Sequence, residues 1–157
     1  MLRTILFASA IFVATPAFAA PSAHFLKDAV EGDYSESTLG KLIQAHGASA
    51  QVRDFGAALN RDHSAALPKA QAVAAREHLH IRATMAPEAR DELYRLKRLS
   101  GAHFDREVAR YMIDDHKKDI AEFKEQARTG DKATAALATA TLPTLRKHLA
   151  MAEAIRR

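Results

Sequence analysis

The chain has 157 residues, with 23 Lys and Arg against 19 Asp and Glu, a formal charge of +4 and no Cys. That length suits one domain with one core. The lack of Cys excludes disulfides, thiolate metal sites, iron–sulfur clusters and haem attached through Cys. So small a basic excess is no footprint for an acidic partner, and no nucleic-acid binding is expected.

The first residues, MLRTILFASAIFVATPAFAA, read as a secretory signal. Arg3 supplies the charge, residues 5–13 the short apolar run, and Ala17-Phe18-Ala19 the small-x-small cleavage pattern. Residues 1–19 are therefore expected to be a leader, and residues 20–157 an exported, periplasmic domain. No second apolar run follows, so no membrane span is expected in the mature chain.

After the leader the pattern is helical throughout, with no apolar–polar alternation of strand type. The first predicted helix covers residues 24–45. Phe25, Ala29, Gly32, Glu36, Leu39 and Ile43 recur at alternating spacings of four and three and share a face. His46-Gly47 ends it. The second covers 49–78, with Val52, Leu59, His63, Ala66, Ala70 and Val73 on its stripe. Residues 79–86 read as a crossing loop, and Pro87 opens a short helix ending near Leu99. The third long helix covers 102–128, with Asp105, Ala109, Met112, His116, Ile120 and Phe123 facing inward. Thr129-Gly130-Asp131 is a tight turn. The fourth long helix runs to about Ile155, with Leu137, Thr141, Leu145, His148 and Ala152 inward. Pro68 and Pro143 predict kinks, unless Pro143 opens the last helix instead. The expected fold is all-α: an antiparallel four-helix bundle with an extra short helix before the third long one.

Glu36, His63, His116 and His148 sit on four different stripes. They fall 12 to 15 residues beyond helix starts at 24, 49, 102 and 133. At about 1.5 Å of rise per residue these offsets agree within one turn, so four polar groups are expected in one layer of the core. Two readings stand side by side. In one, the layer holds a single divalent transition metal (Zn, Fe, Mn or Cu), since imidazoles and a carboxylate suit these ions. Asp105 and Asp119 are then extra ligands or acceptors behind the ligands. Asp62 and Asp115 precede their histidines, point about 100° away, and would orient groups at a helix seam. In the other reading, the layer is a hydrogen-bonded network that only pairs the helices. The remaining histidines and the basic runs at 95–98 and 156–157 read as solvated surface. A Gly-x-Ser-x-Gly elbow, a His-Glu-x-x-His pair and a phosphate loop are all missing, so a binding or envelope protein is expected rather than an enzyme.

The stretch 25–36, DFGAALNRDH at 54–63, LSGAHFD at 99–105, DDH at 114–116 and LPTLRKHL at 142–149 together resemble the DUF4142 family. The resemblance implies export, a ferritin-like four-helix bundle, and Glu36, His63, Asp105, His116 and His148 as the family's polar motif positions. It implies no activity. Di-iron bundles carry Glu-x-x-His pairs, whereas Asn60 and Ile113 stand three residues before His63 and His116. A mononuclear, His-rich site is the form of metal binding that remains.

Overall fold

The computed structural model describes residues 19–156. The expected leader lies outside these, save for Ala19. The described residues form five helices and no strand: α1 (Ala19–His46), α2 (Ala50–Arg76), α3 (Pro87–Leu96), α4 (Gly101–Thr129) and α5 (Lys132–Ile155). None is long and apolar enough to cross a membrane.

The boundaries follow local chemistry. Ser49 caps α2, its hydroxyl accepting from the Val52 amide at 3.2 Å. Asp131 caps α5, one carboxylate oxygen accepting from the amides of Ala133 and Thr134 at 2.8 and 3.1 Å. At the end of α2, His78 takes the left-handed conformation at φ 58°. The Leu79 amide then reaches back to the Ala74 carbonyl and the His78 amide to that of Ala75, the Schellman pattern usually built on glycine. Both α2 and α5 run on through Pro68 and Pro143.

The most extensive pairings are α1 with α2 and α4 with α5, followed by α2 with α5. Cross-helix partners show their sense: Asp33 and Gly40 of α1 lie by His63 and Gly56 of α2, so residue numbers rise on one helix as they fall on the other. In the same way Gln126 of α4 meets Thr134 of α5, and His116 faces His148. Both pairs are antiparallel. At Gly40 and Gly56 the α1 and α2 backbones touch: a Cβ on Gly40 would lie 2.6 Å from the Asn60 amide nitrogen and 2.8 Å from the Gly56 carbonyl. This close approach brings the α1 carboxylates within reach of α2.

The core has two apolar halves. One contains Leu39, Ile43, Phe55, Leu59, Phe104 and Met112; the other contains Phe25, Leu26, Ala70, Phe123, Ala138 and Leu145. On α1 the boundary between them falls near Glu36, on α2 at His63, on α4 at His116 and on α5 at His148. Each of the four long helices thus contributes its polar residue at the level where one apolar half gives way to the other. Residues 77–86 cross the molecule, and the Ala86 amide is pinned by the Ser35 hydroxyl at 2.9 Å. Ala89 and Leu96 of α3 then complete the first apolar half.

Candidate metal centre

His116 and His148 are fully buried, His63 is 4 % exposed and Glu36 3 %. The three imidazoles form a triangle, with ring centroids 5.2 Å apart for His63–His148, 5.5 Å for His116–His148 and 6.2 Å for His63–His116. One nitrogen from each comes within 4.8 Å of the other two. The Glu36 Oε2 atom lies 3.2 Å from His63 Nε2 and 3.6 Å from His116 Nε2. Donors held 2.0–2.2 Å from one tetrahedral ion stand about 3.4 Å apart, which the two Glu36 spacings match and the ring nitrogens approach.

The outward nitrogen of each ring is already engaged. His63 Nδ1 lies 2.9 Å from Asp33 Oδ1, His116 Nδ1 lies 3.0 Å from the Met112 carbonyl, and His148 Nε2 lies 3.0 Å from Asp62 Oδ2. A carbonyl can only accept, and an ionised carboxylate likewise, so these nitrogens carry protons. The lone pairs are thereby directed to His63 Nε2, His116 Nε2 and His148 Nδ1. Those three atoms and both Glu36 oxygens are buried without a hydrogen-bond partner among the described residues. Acceptors behind and the other ring nitrogen turned inward is the arrangement that orients histidine ligands.

The electrostatics ask for positive charge at this point. Burial opposes a charge on His63, but the Glu36 charge 3.2 Å away and the hydrogen bond to Asp33 outweigh it and raise the ring to about 10. Burial, with His63 beside it, drives His148 down to about 4, and burial also lowers His116. Burial disfavours the charged form of Glu36 too, yet the facing rings of His116 and His63 hold its carboxyl below the usual range. Without a metal, a proton on His63 fills the cationic position between two carboxylates; a metal would have to expel it.

The other expected residues divide. Asp62 sits at the α2–α5 seam, where it accepts from His148 and meets Arg61 at 2.8 Å and Lys147 at 3.5 Å. Asp115 is not grouped with all three imidazoles. Its carboxylate joins Glu36 and His116 in a second group whose donor atoms also lie within 4.8 Å of one another. Asp119 lies one turn further along α4 on the same cleft wall. Burial and the Glu36 charge raise Asp115 well above the usual range and Asp119 to about 7. Asp105 is elsewhere. Its two oxygens accept from the amides of Ala48 and Ser49, both at 2.9 Å, and so hold the turn before α2. It stands eleven residues before His116, about 16 Å along the helix axis. Asp33 was missed by the periodicity, because it falls one position off the stripe drawn through Gly32 and Glu36. Its spacing of three before Glu36, on an interior turn, was the available signal.

A family model described as a domain of unknown function (DUF4142) matches residues 8–155, nearly the whole chain. No curated protein and no solved structure was found to match it.

Proposed function

The chain belongs to the DUF4142 family, and on that footing we propose that it is an exported, periplasmic metal-binding protein. It holds one divalent transition ion through His63, His116, His148 and Glu36, inside an antiparallel four-helix bundle of ferritin-like form. The observation that carries this reading is the set of inward atoms. A polar layer built only to pair helices would satisfy its own groups, because each buried atom left unpaired costs about 1–3 kcal/mol. Here one ring nitrogen from each of three helices comes within 4.8 Å of the other two, and Glu36 of a fourth helix brings Oε2 to two of those rings; all of these residues have buried atoms without a partner among the described residues. Imidazole and carboxylate donors suit Zn²⁺, Fe²⁺, Mn²⁺ or Cu²⁺. Four protein donors close a tetrahedral shell, which suits holding, sensing or carrying an ion better than turning over a substrate. Antiparallel pairing and one polar residue per long helix at a common level support the bundle. The apolar stretch before Ala17-Phe18-Ala19 supports export.

Elemental analysis of protein exported to the periplasm without a His tag tests the reading. One transition ion per chain is expected to survive gel filtration in the wild type and to be lost in His148→Ala. Equal metal in the two proteins, or none in either, leaves the layer as a structural network.

A further inference from the structure

A cleft of about 410 Å³ opens between α1 and α4 beside the loop that leads into α3. Seven carboxylates line it against two lysines, and Lys27 is already paired with Glu31 at 2.7 Å. Glu36 lines the cleft, although both its oxygens are buried. Glu36 has two oxygens, and only Oε2 is placed against the His63 and His116 nitrogens. Its Oε1 is equally buried and, with Asp115 ionised, has no hydrogen-bond donor among the described residues. Asp115 brings a second carboxylate to the same place, and Asp119, four residues on, shares its face of α4. His116 cannot complete this group as a ligand, because its single lone pair belongs to the imidazole triangle.

We propose that the floor of this cleft binds a second divalent cation through oxygen donors of Glu36, Asp115 and Asp119, with Glu36 shared between the two ions. All-oxygen coordination favours a hard ion such as Mn²⁺, Mg²⁺ or Ca²⁺ over the softer ions the imidazoles prefer. Two carboxylates side by side in a buried place repel each other unless a proton or a cation lies between them. Because the cleft is open, this ion exchanges with solvent, whereas the imidazole-bound ion is enclosed. The proposal rests on the imidazole centre only through the shared Glu36.

Equilibrium dialysis of chelator-stripped full-length protein against excess Mn²⁺ tests it, with circular dichroism to check that each variant is folded. Two Mn²⁺ per chain are expected for the wild type, falling to one in Asp115→Asn and in Asp119→Asn. In His148→Ala, one ion is expected to remain. Asp119→Asn covers the case in which Asp115→Asn does not fold. One ion in the wild type that is lost in His148→Ala but kept in Asp115→Asn and Asp119→Asn overturns the second site and leaves the first. One ion with the opposite pattern keeps the carboxylate site and removes the imidazole one. No bound Mn²⁺ in the wild type overturns the carboxylate site, while the imidazole centre stands or falls by the elemental analysis.

Discussion

Asp33 offers the sharpest test of the metal reading, because it touches a ligand without being one. Its carboxylate accepts the His63 Nδ1 proton at 2.9 Å. That bond fixes the ring's orientation, directs the Nε2 lone pair inward and makes the imidazole a stronger donor. Asp33→Asn keeps the shape and removes the charge. Loss of such a supporting carboxylate weakens metal binding by about 10–100-fold, which converts to about 1.4–2.7 kcal/mol. The same figure appears a second way. At fixed metal excess, the stabilisation given by the ion depends on the logarithm of its affinity, so the metal-induced gain in stability shrinks by an equal amount. Competition against a chromophoric chelator measures the first quantity, and thermal melts with and without Zn²⁺ measure the second. Asp105→Asn is the control: its amide nitrogen cannot accept, so one of the two bonds from Ala48 and Ser49 is lost, and it should melt lower yet bind metal as the wild type does. If Asp33→Asn keeps wild-type affinity and the full metal-induced shift, His63 is not a ligand and the centre is wrong.

Two further outcomes are expected. Gly56→Ala should lower stability by about 1–2 kcal/mol in urea unfolding. Its Cβ would press on backbone atoms of Gln44 and Gly40, an overpacking cost of about 1–3 kcal/mol offset by up to about 1 kcal/mol of helix propensity. Glu92→Gln should flatten the pH dependence of the melting temperature. Glu92 is 5 % exposed, and burial with the Glu107 charge raises its carboxyl from 4.5 to about 7, against the pull of Arg110 and Arg95. Its folded value lies above its unfolded one, so the folded state binds the extra proton and wild-type stability falls as pH rises from about 4.5 to about 7. The variant should be the more stable protein above pH 7 and lose that advantage near pH 4; parallel curves for the two would contradict the assignment.

The helices and the common level of Glu36, His63, His116 and His148 were legible in the sequence. A helix turns about 100° and climbs about 1.5 Å per residue, so spacing alone sets which side a residue takes and how high it stands. The same rule misled at Asp105, which shares the stripe of His116 but lies at the end of the helix, where it meets the chain entering α2. It also passed over Asp33, whose partner His63 is thirty positions away. Only the tertiary structure decided how near α1 and α2 come. That distance depends on Gly40 facing Gly56, which neither segment's own pattern records. It also decided which nitrogen of each ring is engaged, and that Asp115 joins Glu36 while Asp62 joins His148. The physical reason is one of range. Periodicity is a property of a single helix, whereas a ligand set, a supporting acceptor and a cleft each depend on the separation and rotation of neighbouring helices, which packing sets.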